Sequence, residues 1–304
     1  MNFIKLFGIF LLTLSMAHAA DNSIYIDQIG SSSTINIKQD GSGNKVYGVG
    51  DSEGTPANFA GSSQTIDIRQ VGGSNLLGID LNTTVASGVG VDLKYYITGS
   101  NSVASIDING DGLGTAANNT IDIQQTGNYN DLIFDLLGSG STINASMTGG
   151  TLNDLTFDID ADSLTVDVAV SGGGSNTVTL ELGSDSSDID ITSVGASNVI
   201  NSTQTGVGVF DLDINAQSSS NTITTIQRDV GNSGTDISIT SAGATNTVST
   251  SQIGSSGALT GNEIDLDIAG ASNNVTINQS GGLDNDSNID ITGSSNTWTI
   301  NQEE

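Results

Sequence analysis

The sequence predicts an all-β fold, a β-solenoid of stacked strand–turn–strand coils with amyloid-like packing. Three observations carry that prediction: a strict period-2 alternation, its return at near-constant spacing, and amides closing the apolar stripes. Residues 119–134, NTIDIQQTGNYNDLIF, show all three. Successive strand side chains point to opposite faces, so Asn119, Ile121, Ile123 and Gln125 share one face and Thr120, Asp122 and Gln124 the other. Thr126, Gly127 and Asn128 supply a turn, and Asn130 restarts the pattern with Leu132 and Phe134. The face that is apolar in the middle and amide at its ends is the predicted interior.

Residues 1–19 read as a secretory signal peptide, with Lys5, an apolar run from Leu6 to Leu14 and the small-x-small site Ala17-His18-Ala19. The apolar run is too short to span a bilayer. Residues 20–304 are then one repeat domain, which cleavage would leave without Lys5 and without the single His of the chain. The composition has no Cys, so an exported chain would fold without disulfides. Zinc sites and His-based acid–base or nucleophilic catalysis are excluded for the same residues, and no enzymatic activity is expected.

The unit of Asn, Ser or Gln, two alternating β-branched or similar residues and a closing Gln returns along the chain. It stands as Asn22-Ile24-Ile26-Gln28, Ser33-Ile35-Ile37-Gln39 and Gln64-Ile66-Ile68-Gln70. Later copies are Asn198-Ile200-Ser202-Gln204, Asn221-Ile223-Thr225-Gln227 and Asn246-Val248-Thr250-Gln252. The last are Asn273-Val275-Ile277-Gln279 and Asn296-Trp298-Ile300-Gln302. Strands without the closing Gln open on Asn44, Asn75, Asn130, Asn153, Asn176 and Asn262. The pattern gives about 23 strands, with the frame left open near Val91, Ile106 and Leu164. Two strands, or about 22–27 residues, make one coil, and about 11 or 12 coils at ~4.8 Å make a rod of ~55 Å. Longer connections at 50–61, 109–118, 228–234 and 281–286 are expected to be enlarged turns, since they carry Gly, Asn, Asp and Ser and the pattern resumes in frame.

Inward amides explain why such a rod holds together. A buried amide without partners is costly, but at a ~4.8 Å strand spacing each one can bond its equivalent in the coils above and below. The residues expected in this ladder, which would also serve assembly, are Asn22, Gln28, Gln39, Asn44, Gln64, Gln70, Asn75, Asn119, Gln125 and Asn130. They continue with Asn198, Gln204, Asn221, Gln227, Asn246, Gln252, Asn273, Gln279, Asn296 and Gln302.

These residues resemble the curlin repeat of bacterial curli fibres: Ser, five residues, Gln, then x-G-x-x-N and alternating apolar positions. Ser33 to Gln39, followed by Gly41, Asn44 and Val46, is similar to it, as are Gln64 to Asn75 and Asn119 to Asn130. The likeness is partial near Asn198, Asn246 and Asn273 and faint from about Leu132 to Leu182. The resemblance implies a secreted subunit that polymerises with copies of itself into extracellular amyloid-like fibres for biofilm, adhesion and surface colonisation. It also implies an outer-membrane curli-type export machinery as a partner. Asn or Gln often replaces the family's first Ser, and the second Gln of a unit is usually missing. No Gly/Asn-rich export tag separates Ala19 from the first repeat.

The charge is lopsided, with 34 Asp+Glu against 6 Lys+Arg and a net charge of -28. Parity places Asp67, Asp107, Asp122, Asp158, Asp190, Asp211, Asp213, Asp265, Asp267 and Asp290 on the outer face. Stacked carboxylates repel by roughly 1 kcal/mol per pair in water, so acid or divalent cations are expected to favour stacking. Nucleic acid is excluded as a direct partner. Pairs such as Asp265/Asp267 have glycosidase-like spacing but repeat without a pocket, and the glycines of 110–114 lack the Lys and helix of a phosphate loop. Weak calcium binding to the acidic face or to turns such as Asp284-Asn285-Asp286 is the one cofactor expectation. Tyr95 and Tyr96 are expected to break the alternation at a strand edge, and Trp298 to plug the last coil. The leading expectation is a secreted structural fibre subunit; the alternative is a non-polymerising solenoid adhesin that binds through its long turns.

Overall fold

The computed structural model describes residues 22–30, 32–41, 43–47, 56–61, 63–82, 90–99, 101–108, 116–229, 235–254, 262–281 and 285–303. The signal peptide, residues 1–19, and the Gly-rich segment 110–114 lie outside these residues. All regular structure among the described residues is β, arranged as two parallel sheets that the chain visits alternately. Sheet A runs through 12 strands from Ser23–Tyr25 to Ser295–Glu303, and sheet B through 11 from Thr34–Asp40 to Asp286–Thr292. Three short pieces, Asp27–Ile29, Ala57–Ala60 and Ala116–Ala117, extend sheet A beside that path. The fold is therefore the β-solenoid that the alternation predicts.

Burial follows parity. In Thr120–Thr126 the inward Ile121, Ile123 and Gln125 are buried, and the pattern repeats almost without exception between residues 65 and 279. Each strand gives four inward positions, and the middle two are mostly Ile, Leu, Val or Phe stacked on their equivalents. Phe134 and Phe157, paired across neighbouring coils, meet edge to face with ring centroids 5.3 Å apart. Each such side chain contributes roughly 1.5–3 kcal/mol on full burial.

The passage from sheet B to sheet A is a tight turn with a column of glycines: Gly41, Gly72, Gly99, Gly127, Gly149, Gly172 and Gly195, then Gly243, Gly270 and Gly293. Ser218 stands in the one gap and bonds the Ser220 carbonyl and Asn221 Oδ1 instead. The column follows from stacking: a Cβ on Gly149 would collide with the carbonyl oxygen of Gly127 one coil below. The Gly127 and Gly149 amides donate onward to Thr148 and Ser171, at 3.0 and 2.8 Å.

Several expectations are corrected. The connection at 50–61 is not only an enlarged turn, because Ala57–Ala60 returns to sheet A and pairs with Ile79–Asn82; the insertion interrupts a strand. Ala116–Ala117 likewise resumes the sheet beside Gly138–Ser139. Such insertions stretch the coil beyond 27 residues: Asn44 and Asn75 are stacked equivalents 31 residues apart. Tyr95 and Tyr96 do not mark an edge. They lie inside Asp92–Thr98 with the alternation intact, Tyr95 buried and donating to Gln70 Oε1 at 3.1 Å. Burial raises the Tyr95 hydroxyl pKa well above its ordinary value.

Candidate functional site: the amide rows, the acidic face and the open end

Stacking resolves the inward amides into separate rows. The first inward position of sheet A is Asn in every coil but one: Asn22, Asn44, Asn75, Ser102, Asn130, Asn153, Asn176, Asn198, Asn221, Asn246, Asn273 and Asn296. From Asn130 to Asn296 each Nδ2 donates to the Oδ1 of the next Asn, at 2.7 to 3.1 Å. A second stretch joins Asn22 to Asn44 at 3.2 Å and Asn44 to Asn75 at 3.3 Å. Ser102 separates them, and Asn75 Nδ2, Ser102 Oγ and Asn130 Oδ1 are buried without a partner. The sequence pattern marks the Asn153 and Asn176 strands, but those two residues are not among the expected ladder members; they lie where the curlin-like repeat is faint, from about Leu132 to Leu182.

The closing Gln of sheet A forms its own row: Gln204, Gln227, Gln252, Gln279 and Gln302. From Gln227 onward each Nε2 donates to the preceding Oε1, at 2.7 to 3.0 Å, and Gln204 Nε2 donates to Ser187 Oγ at 2.9 Å. In the coils before Gln204 the same position holds Gln28 in the first and then Phe59, Leu81, Ile108, Leu136, Ile159 and Leu182, these six all buried. Gln39 and Gln70 pair at 2.8 Å, but in sheet B.

Four expected ladder members stand outside these rows. Gln125 lies between Ile97 and Met147, with its Oε1 buried and unpartnered. Gln64 donates to the Gly30 carbonyl at 2.8 Å, Asn119 to Ser141 Oγ at 3.1 Å, and Gln28 to Ser33 Oγ at 3.2 Å. Each has the right local pattern, but the coil stacked on it carries no matching amide. Asn296 and Gln302, in the last strand, are exposed on their outer side.

The outer faces carry stacked carboxylates. Asp188, Asp211, Asp236, Glu263 and Asp286 form one unbroken file on sheet B, and Asp80, Asp107, Asp135, Asp158 and Glu181 another on sheet A. Partial burial, then Asp211 and Glu263 on either side, push Asp236 up to about 6. Burial and flanking acids also raise Asp190, Asp211 and Asp135. Near the amino-terminal end Tyr96 donates to Asp122 at 2.6 Å, which with burial pushes its hydroxyl up to about 12, and Arg69 sits over its ring at 5.1 Å. Among the described residues no three Asp or Glu side chains converge as metal ligands.

The raised Asp236 has a calculable consequence. A carboxyl whose folded pKa lies above its unfolded value favours the fold when protonated, so its contribution is present at pH 4 and is lost as pH rises through about 6. A shift of about two units is worth roughly 3 kcal/mol, which solvent screening at this half-exposed site cuts to about 1 kcal/mol. Asp236→Asn should therefore raise the melting temperature at pH 8 and leave it unchanged at pH 4. An equal change at both pH values would show that ionisation is not the cause.

The last described strands form half a coil. Ser295–Glu303 is the twelfth strand of sheet A, and no described strand of sheet B lies over Asp286–Thr292 to face it. Trp298 sits on the inward row but is 62% exposed rather than enclosed. With Ser287, Ile289, Ile291 and Ile300 it lines an open apolar trough.

The fold is a parallel β-solenoid with an amide-laddered interior, and its last described strands are uncovered. No family model, curated protein or solved structure matches the chain.

Proposed function

We propose that this chain is a secreted structural subunit that stacks end to end with its own copies into curli-like extracellular fibres. One observation carries the reading: the interior rows run unbroken into the last described strands and stop there uncovered. Ile289, Ile291 and Ile300 pack against the core but are only partly buried, and Asn296 and Gln302 show their free sides to solvent. Each can make with another coil the bond it already makes with the coil beneath. Parallel strand edges left unpaired accept further strands, and amide ladders make the addition specific. The curlin-like repeats at Ser33, Gln64 and Asn119 support the same reading, and so does the expected signal peptide.

The acidic files oppose stacking through like-charge repulsion, so assembly should speed up as pH falls from 8 to 4. The test is electron microscopy and fibre diffraction of the purified protein at both pH values. Fibres with a ~4.8 Å meridional repeat are expected, formed faster in acid. Discrete rods of ~55 Å at every pH and concentration would overturn the fibre reading and leave a monomeric adhesin.

A further inference from the structure

Between residues 175 and 303 the rod has two unlike faces. On sheet B every strand from Ser187–Val194 to Asp286–Thr292 carries an outward carboxylate, and Glu263–Ala269 carries Glu263, Asp265 and Asp267. On sheet A the six strands from Ser175–Gly183 to Ser295–Glu303 carry mostly hydroxyls and amides instead. One outward file is Thr177, Val199, Thr222, Thr247, Asn274 and Thr297. The file beside it runs from Thr179 through Thr224, Ser249 and Thr276 to Thr299. The charged outward residues described on this face are Glu181, Arg228 and Glu303, all set toward the carboxyl ends of their strands. In a chain of net charge -28, carboxylates are thus nearly absent from one face over six consecutive coils.

We propose that this uncharged face is a lateral interface through which two copies of the rod pair side by side, sheet A against sheet A. The inference goes beyond end-to-end stacking, because it concerns the flank of the rod. Charge selects the pairing. Sheet B against sheet B would set carboxylates on carboxylates, each pair repelling by roughly 1 kcal/mol in water. Sheet A against sheet B would strip water from carboxylates that gain no partner. Sheet A against sheet A avoids both costs. Area fits as well. Strands of nine or ten residues span ~30 Å and six strands ~29 Å, a footprint of ~850 Å² per copy. A standard stable interface buries about 800 Å² per partner.

Side-chain chemistry suits a second copy of the same chain. Thr, Ser and Asn are short enough to interdigitate as a dry zipper, and a second copy presents ridges with the same ~4.8 Å repeat. A shallow groove lined by Thr245, Thr247, Ser272, Asn274, Ser295 and Thr297 runs along the rod and seats such a ridge. Among the described residues, the hydroxyls of Thr222, Thr224, Thr247 and Thr276 have no hydrogen-bond partner within the rod, so they are available across the junction. None of the described outward residues on these six strands is aromatic, so the face offers no ring for a sugar to stack on.

Sedimentation equilibrium of the unassembled protein at pH 8 tests the pairing, at ~0.15 M salt so that repulsion is screened beyond about 8 Å. A concentration-dependent dimer is expected. Thr224→Asp/Ser249→Asp places two carboxylates at the centre of the face and should raise the dimer dissociation constant at least about tenfold. Outward Asp suits this fold, as Asp211 and Asp265 show, and an unchanged melting temperature checks that the variant folds. Thr192→Asp/Thr240→Asp adds the same charge to sheet B, where both residues are exposed, and should leave the dimer as it was. Equal losses in the two variants overturn the pairing. So does a dimer indifferent to both, which would be joined at the ends. A monomer at every concentration up to about 1 mM overturns it too, even if the protein adsorbs to an insoluble polysaccharide. Failure to form fibres would overturn end-to-end stacking and leave the side-by-side dimer intact.

Discussion

Replacing Asn198 with alanine is expected to lower the stability of the rod by about 3 kcal/mol, while Asn201→Ala in the same strand changes it by less than about 0.5 kcal/mol. Asn198 is buried and Asn201 is exposed. The Asn198 Nδ2 donates to the Ser193 carbonyl at 2.9 Å and to Asn221 Oδ1 at 3.0 Å, and its Oδ1 accepts from Asn176 at 3.1 Å. Truncation removes all three and opens the file in the middle. Bonds in a polarised chain strengthen one another, so the loss reaches neighbouring coils. Urea unfolding of the unassembled protein measures the difference. Equal midpoints for the two variants would mean that the interior file adds nothing beyond packing.

The opposite change is available one third of the way along the rod. Ser102→Asn should stabilise the fold by about 2 kcal/mol, because it supplies the missing rung between Asn75 and Asn130. The backbone already suits it: Ser102 is in register with Asn75 and Asn130, and Gly99 precedes it as Gly127 precedes Asn130. Asn75 Nδ2 and Asn130 Oδ1 would gain the partner they lack. Ser102→Ala is the control, since the hydroxyl it removes has no bond to lose. A Ser102→Asn protein no more stable than Ser102→Ala would contradict the rung assignment.

The rung at Ser102 also marks the limit of what could be read locally. Alternation around Ile121 and Ile123, or Ile200 and Gln204, gave the facing of nearly every side chain, since strand parity depends only on residues two apart. The Asn rows at 130, 198 or 246 were legible as repeating units for the same reason. Gln125 was not: its surroundings repeat those of Gln70, yet it stacks between Ile97 and Met147 rather than on another amide. Tyr95 and Tyr96 looked like a break because two aromatics adjoin, whereas one fills the core and the other reaches Asp122 across the outer face. The insertion before Pro56 hid the strand Ala57–Ala60, because a turn-rich segment inside a strand has the composition of a turn.

By itself, then, the sequence determined which side chains point inward, that the coils stack in parallel, and that the interior pairs aliphatic stripes with amides. These follow from period, turn chemistry and the cost of burying an unpaired amide. Tertiary structure alone decided which residue lies over which. The stacking neighbour is 22 to 31 positions away, and insertions inside strands shift that distance from coil to coil. The separate Asn and Gln rows, the gap at Ser102, the files of carboxylates and the unfilled half coil at Trp298 all exist only once the coils are set in register.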